Sequence, residues 1–252
     1  MDLGLRGKTA LVTGGGRDIG REISLTLARE GATVAVNYLR SKADAESTVA
    51  EIRTGGGTAA LYHADVADYD AVRELAEKVT GEFGGVDILV NNAGYVTPTR
   101  FLETKPEAWR RQIDVGLYGV IHCCHAVAPG MVERKFGRII NIAGDSARVG
   151  QQHLSITAAA RGGVLTLTKT LAKELGRANI TVNVLALGYI ETTHSDQAWL
   201  AANRDKILPS YAVRRLGRPR DVAPFVAFLA SEQAGWVTGQ TISISGGYTT
   251  VG

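Results

Sequence analysis

The feature that most constrains the fold is a strand, a glycine-rich turn and a helix that follow one another near the amino terminus. Thr9 to Val12 is a short apolar run, the segment TGGGRDIG occupies 13–20, and Ile23 and Leu27 then recur at helical spacing. A short apolar run bounded by glycines is typical of a buried parallel strand. The sequence therefore predicts a β-turn-α unit with its glycine turn at the carboxyl end of the strand.

The same alternation continues along the chain. Further strands are predicted at 33–38, 58–63, 86–91, 139–142, 180–185 and 241–244. Helices are predicted at about 42–53, 71–83, 106–133, 155–175 and 219–230, with Ser41 as a plausible N-cap. Regular alternation of this kind produces a parallel sheet with helices on both faces. The expected fold is α/β: one Rossmann-like, doubly wound domain of about seven strands spanning 1–252, with a substrate lid at about 188–218.

Composition excludes several classes of function. The 28 basic and 25 acidic residues leave a net charge of only +3 without clusters, so neither nucleic acid nor a membrane surface is an expected partner. The two cysteines, Cys123 and Cys124, are adjacent and form neither a disulfide framework nor a metal-binding pattern. No leader and no apolar stretch of about 20 residues is recognised, so we expect a cytoplasmic protein.

A polar loop follows the predicted strand at 139–142. In an open α/β sheet, ligands bind outside the carboxyl ends of the strands, so this loop should overhang a pocket. His153 is the best single acid-base candidate because an imidazole exchanges protons near neutral pH, and Asp145 could orient it or act as a base itself. A nucleophilic arrangement of Ser146, His153 and Asp145 is conceivable, although a polar loop at a sheet edge is normally just solvated. The candidate catalytic residues are His153, Asp145, Ser146, Thr157 and Arg161.

Three motifs in order carry a family resemblance. TGGGRDIG at 13–20, Asp65 and NNAG at 91–94, with the order of elements, resemble the short-chain dehydrogenase/reductase family over nearly the whole chain. The resemblance implies a sheet order of 3-2-1-4-5-6-7, a nicotinamide cofactor, a small-molecule substrate, and a homotetramer or homodimer. The residues it implies for cofactor binding are Gly14, Arg17, Asp18, Ile19, Gly20, Arg40, Asp65, Val66, Asn92, Ala93, Gly94 and Thr192.

Two of these positions bear on the cofactor itself. Asp18 stands where the family has its middle glycine, and we expect its carboxylate to cap the following helix with the side chain turned away from the pyrophosphate. Arg17 and Arg40 resemble the residues that hold a 2'-phosphate, while Asn37 replaces the acidic residue that would select NAD. NADP is therefore favoured over NAD.

The resemblance also shows where the usual catalytic tetrad should lie. Its Asn, Ser, Tyr and Lys correspond here to Gly116, Gly144, Thr157 and Arg161. The family mechanism needs a phenol, with an ordinary pKa near ~10, that a neighbouring ammonium makes more acidic, and an aliphatic hydroxyl ionises far too weakly to replace it. Arg161 is a permanent cation that cannot relay protons, although its fork can hold a ribose, a carboxylate or an oxyanion.

Three hypotheses follow. The preferred one is non-standard lyase, hydrolase or isomerase chemistry on a carbonyl-containing or enolisable small molecule. The second is an NADP-dependent carbonyl oxidoreductase with a substitute proton donor, and the third is a non-catalytic binding or regulatory homologue. Halohydrin dehalogenases, which resemble this family and replace its Lys by Arg, supply a minor alternative. No metal site is expected, because the histidines near the two cysteines lie on a single predicted helix.

Overall fold

A single parallel sheet forms the centre of the molecule. The computed structural model describes residues 2–251. The strands within that range are β1 (Thr9–Val12), β2 (Thr33–Tyr38), β3 (Ala59–His63), β4 (Ile88–Asn91), β5 (Gly137–Gly144), β6 (Ile180–Leu187) and β7 (Thr241–Ile244). Their order is β3-β2-β1-β4-β5-β6-β7 and every neighbouring pair is parallel. The predicted fold class and strand order are confirmed.

Helices connect the strands and cover both faces of the sheet. The α-helices described within 2–251 are α1 (Asp18–Arg29), α2 (Lys42–Thr54), α3 (Tyr69–Phe83), α4 (Pro106–Ile113), α5 (Gly119–Arg134), α6 (Ser146–Val149), α7 (Ser155–Leu175), α8 (Gln197–Ile207) and α9 (Pro219–Ala230). Helices α1, α2 and α9 contribute to the core on one face, and α3, α5 and α7 contribute to the core on the other.

The strands are apolar on both faces, which is what a sheet covered on both sides requires. Leu11 belongs to one core and its neighbour Val12 to the other, because successive side chains of a strand point to opposite faces. Both side chains are fully buried. The near-continuous apolar runs of the sequence therefore reflect this two-sided burial, as expected for a parallel sheet.

Capping explains where some helices begin. Helix α3 starts two residues before its predicted start, because the Asp68 side chain accepts hydrogen bonds from the backbone N–H groups of Asp70 and Ala71 at 3.0 and 3.2 Å. Ser41 precedes α2 as expected, but its side chain makes no capping hydrogen bond. A good N-cap residue type thus marked the position of that helix start without supplying the cap.

The long helix predicted at 106–133 is interrupted. A π-helical turn at Asp114–Tyr118 separates α4 from α5. By length and composition alone, the continuous helical stretch Pro106–Arg134 could cross a membrane, with a mean hydropathy of 1.4 in its most apolar window, of which 39% is buried. The expectation that no stretch is apolar enough was therefore wrong. Buried helices of soluble proteins pass the same test, and α5 packs against the sheet and α3.

The segment predicted as a lid at 188–218 is more ordered than its sequence suggested. It contains α8 and a short 3-10 turn at Leu208–Ser210, and its two ends are joined by a bridge between Ile190 and Gly217. Leu200, Tyr211 and Leu216 form a small apolar core of their own. The segment is therefore a packed substructure that covers the carboxyl ends of the strands.

Candidate active site

A cleft lies at the carboxyl ends of the strands, around the point where the strand order reverses between β1 and β4. The cavity has a volume of about 680 Å³. In open α/β sheets ligands bind at this switch point. Every residue that the resemblance implied for cofactor binding lines it: Gly14, Arg17, Asp18, Ile19, Gly20, Arg40, Asp65, Val66, Asn92, Ala93, Gly94 and Thr192.

Hydrogen bonds from the NNAG segment fix the backbone of the glycine turn at 13–20. The Asn92 side chain donates to the carbonyl oxygens of Thr13 and Gly14 at 3.0 and 3.1 Å. Gly14 has φ +60°, and a Cβ atom built at Gly20 would lie 2.1 Å from the Gly14 carbonyl oxygen. Because α1 begins at Asp18, within this segment, its free N–H groups and positive dipole end face the cleft, which suits an anionic pyrophosphate.

Asp18 does not behave as expected. It has φ +52° and makes no capping hydrogen bond to α1, so the predicted cap is absent. Its Oδ1 instead lies 2.9 Å from Nδ1 of His194 and accepts a hydrogen bond from the Thr193 hydroxyl at 3.4 Å. A left-handed backbone favours glycine, which the family has at this position. Here the position carries the Asp18 carboxylate, which links the glycine turn to the loop after β6.

The end of β2 carries no acidic side chain. Asn37 is buried there, and its side-chain oxygen accepts a hydrogen bond from the Gly14 N–H at 3.2 Å while its amide donates to the Ala64 carbonyl at 3.1 Å. Arg17 and Arg40 line the same end of the cleft. The local charge is therefore positive, as an additional phosphate would require.

Asp65 is held by an arginine that the sequence analysis did not identify. Arg111, on α4, donates to both carboxylate oxygens at 2.9 and 3.3 Å, and the Ala67 N–H donates to Oδ1 at 3.0 Å. Burial alone would raise the pKa of Asp65, but the hydrogen bonds from Arg111 and Ala67 outweigh it, so the pKa lies below its usual value. Nothing in the local sequence relates positions 65 and 111, and only the packing of α4 brings them together.

The structure also positions the four residues that the resemblance matched to the family tetrad. Gly116 is in the π-helical turn, where a Cβ atom would meet only the Ala160 Cβ at 3.5 Å. Gly144 ends β5, two residues beyond the predicted end of that strand, and pairs with Leu187. Thr157 is buried in the first turn of α7, and its hydroxyl makes no hydrogen bond with any residue from 2 to 251.

Arg161 is the one catalytic candidate from the sequence that lines the cleft. Its guanidinium lies between Gly94 and Gly144: a Cβ atom at Gly94 would be 3.4 Å from Nη2, and one at Gly144 would be 2.8 Å from Nη1. Within residues 2–251 it has no hydrogen-bond or ion-pair partner. Burial lowers its pKa without an opposing acidic neighbour.

The other polar candidates do not line the cleft. Asp145 is only 1% exposed, and its Oδ1 accepts a hydrogen bond from Ser243 at 2.8 Å. Ser146 begins the short helix α6, and its buried hydroxyl has no partner among the described residues. His153 is exposed, with φ +68°, and only its backbone oxygen is engaged, by the Thr99 N–H. No hydrogen bond joins Ser146, His153 and Asp145, so the structure does not assemble them into a nucleophilic trio.

Tyr95 and His194 are further acid-base candidates that the sequence offers, on loops beside the one after β5. Tyr95 follows Gly94 directly, lines the cleft and is 39% exposed. No group of three or more His, Cys, Asp or Glu side chains suited to a metal occurs in the portion 2–251.

Known proteins are similar to this chain in both sequence and fold. The family model described as enoyl-(acyl carrier protein) reductase matches residues 14–249. The 3-oxoacyl-(acyl-carrier-protein) reductase FabG of Staphylococcus epidermidis is 42% identical over 240 residues, 95% of this chain and 98% of its own length. The acetoacetyl-CoA reductase of Shinella zoogloeoides is 40% identical over the same shares. A short-chain type dehydrogenase/reductase of Mycobacterium marinum has a TM-score of 0.92 at 35% identity, covering 99% of this chain and 98% of its own.

These relatives correct the functional hypothesis that the sequence analysis preferred. Proteins about 40% identical over almost the whole chain are named reductases. Lyase, hydrolase or isomerase chemistry as the main activity was therefore the wrong conclusion, because it gave four positions more weight than the rest of the chain. Taken with the parallel sheet and the cleft at its switch point, the matches show that the chain belongs to the short-chain dehydrogenase/reductase family.

Proposed function

We propose that this protein is an NADPH-dependent reductase of the keto group of a 3-oxoacyl compound, with a proton donor other than the family's tyrosine. The observation that carries the proposal is the cleft at the switch point, which all the implied cofactor residues line. The reductase names of the relatives at 40 to 42% identity support the same reaction.

The cleft fits a phosphorylated dinucleotide. A side chain at Gly20 would clash with the Gly14 carbonyl oxygen, so glycine lets α1 begin close against the turn, where free backbone N–H groups suit a pyrophosphate. Arg17 and Arg40 would hold the 2'-phosphate of NADP. Asp18 is the one residue of the glycine turn that departs from the family pattern, and its carboxylate forms a hydrogen bond with His194. When bound, NADPH supplies the hydride that adds to the carbonyl carbon.

The proton must come from another group, since we propose that the usual tetrad is replaced by Gly116, Gly144, Thr157 and Arg161. Tyr95 is the best replacement because it is a phenol on the wall of the cleft that Arg161 also lines. Tyr95 would give its phenolic proton to the oxygen of the carbonyl being reduced, and solvent would reprotonate the phenolate because Tyr95 is partly exposed.

Calorimetric titration with NADPH, NADP, NADH and NAD, combined with the absorbance decay of NADPH in the presence of acetoacetyl-CoA, tests the proposal. We expect the phosphorylated cofactors to bind more tightly and NADPH to be consumed. Tyr95→Phe should lower kcat by about 100-fold or more, as for loss of a general acid. His153→Gln serves as the matched control, since His153 is exposed and lies outside the cleft. Absence of nucleotide binding would refute the reductase, and full activity of Tyr95→Phe would refute its proton donor.

We also propose that the chain assembles as a homodimer or homotetramer. Aromatic side chains remain exposed in the single chain, among them Phe225 and Phe228 of α9 and Trp236 beyond it. Sedimentation velocity on the purified protein tests this, and a monomer at micromolar concentration would contradict it.

A further inference from the structure

Arg161 places an uncompensated positive charge on the wall of the cleft. Its side chain is partly buried, and its guanidinium lies within van der Waals reach of the positions that side chains at Gly94 and Gly144 would occupy. Both neighbours are glycines, so the flat face and the edges of the guanidinium are not blocked by side chains from those positions. The fork is therefore held in place by packing and is still accessible from the cavity.

Two of the other three arginines on the cleft wall have acidic neighbours, whereas Arg40 forms no ion pair within residues 2–251. Arg111 makes a two-pronged ion pair with Asp65, and Arg17 Nε lies 3.7 Å from the Asp18 carboxylate. Within residues 2–251, no acidic side chain forms an ion pair with Arg161. A partly buried cation without a counter-charge is costly, and a ligand that supplies the negative charge would recover that cost.

We propose that Arg161 binds a carboxylate of the substrate, so that the site prefers an oxo acid with a free carboxylate over the corresponding neutral ester. The proposal rests on the carbonyl reduction proposed above and narrows its substrate class. A carboxylate matches the two parallel N–H donors of a guanidinium, whereas a neutral ester would leave the charge uncompensated. Tyr95 lines the same cleft and would supply the proton to the reacting carbonyl of such an acid.

Calorimetric binding of acetoacetate and of methyl acetoacetate to the protein saturated with NADP tests the charge requirement directly, because the oxidised cofactor cannot reduce either ligand. The two ligands differ only in the methyl group that removes the negative charge. We expect wild-type protein to bind acetoacetate about 10- to 100-fold more tightly, in line with hydrogen bonds to a charged group. Arg161→Gln should abolish this preference, and Arg161→Lys should retain part of it.

Lys169→Gln is the matched control, since it removes one positive charge from an exposed position on the same helix. Lys169→Gln should keep the full preference for acetoacetate over methyl acetoacetate. That result would exclude a general effect of the protein's net charge. Circular dichroism confirms the folding of each variant, and Arg161→Lys provides a second comparison that keeps the charge. Equal affinities for the two ligands in wild-type protein, or an undiminished preference in Arg161→Gln, would overturn the proposal.

The same measurements separate this inference from the proposed reduction. Turnover of acetoacetyl-CoA without any preference for acetoacetate would leave the reductase standing and remove the carboxylate site. Arg161-dependent binding of acetoacetate without oxidation of NADPH would support the carboxylate site and refute the reductase.

Discussion

The contact between Gly144 and Arg161 provides the sharpest test of the site geometry. A Cβ atom at Gly144 would lie 2.8 Å from Nη1 of Arg161, whereas ordinary contact begins near 3.4 Å. In Gly144→Ala the guanidinium must therefore retreat by about 0.6 Å, and overpacking of this kind costs roughly 1 to 3 kcal/mol. Because the obstructing atoms end a flexible side chain that borders a cavity, we expect the low end, about 1 kcal/mol.

The free energy of unfolding of Gly144→Ala alone would not reveal this overpacking cost, because a second effect opposes it. Replacing glycine by alanine outside the left-handed region restricts the unfolded chain and stabilises the protein by roughly 0.4 to 1 kcal/mol. A double-mutant cycle with Arg161→Lys removes that contribution, since it is the same in both backgrounds and Lys lacks the guanidinium fork. The expected coupling between the two positions is about 1 kcal/mol.

Urea denaturation of the four proteins at one fixed protein concentration gives the coupling from the free energies of unfolding. Gly116→Ala, in a parallel cycle with Arg161→Lys, is the control, because a Cβ atom there meets only the Ala160 Cβ at 3.5 Å. We expect that control cycle to be additive. A coupling at Gly144 within about 0.3 kcal/mol of zero would show that Arg161 is not held against this strand, and would refute the geometry on which the anion site depends.

Two further predictions concern the cofactor end of the cleft. Asp18→Gly should bind NADPH roughly 2- to 5-fold more tightly by calorimetry, since a carboxylate leaves the pyrophosphate region and glycine suits φ +52°; weaker binding would contradict this. Arg111→Met should lower the free energy of unfolding at pH 7 by at most about 1 kcal/mol, because its ion pair with Asp65 is partly exposed. The folded-state pKa of Asp65 is lowered, so the difference should disappear as the pH falls below about 4, as followed by urea denaturation; a difference that persists there would contradict the assignment.

The secondary structure could be predicted wherever one local signal determined it. Strand β2 and helix α7 were predicted with the bounds that the structure shows, because apolar runs and helical periodicity extend to the glycines and polar residues that end them. The π-helical turn at Asp114–Tyr118 was missed, since one extra residue in a helical turn hardly disturbs an apolar pattern. Short helices such as α6 and α8 were missed because the surrounding segments carry many turn-forming and polar residues.

The same distinction between local signals and tertiary packing applies to the candidate site. The cofactor residues could be located because they belong to motifs at strand ends, where sequence position and spatial position coincide. The loop after β5 could not be interpreted in this way, because its backbone decides which side chains face the cleft. Asp145 turns into the protein toward Ser243, and His153 turns outward with a left-handed backbone. Arg111 reaches Asp65 only through tertiary packing.

Gly144 and Arg161 are best understood together. The guanidinium occupies part of the space that any side chain at 144 would need, so this arginine conformation requires glycine at that strand end. Where the family polarises a carbonyl with a hydroxyl, this cleft offers the positive charge of Arg161. A hydroxyl acts on any carbonyl, whereas a partly buried cation gains most from a negatively charged ligand. Restoring serine at 144 together with lysine at 161 should therefore weaken the preference for charged substrates before it changes the cofactor affinity, since both positions lie apart from the glycine turn.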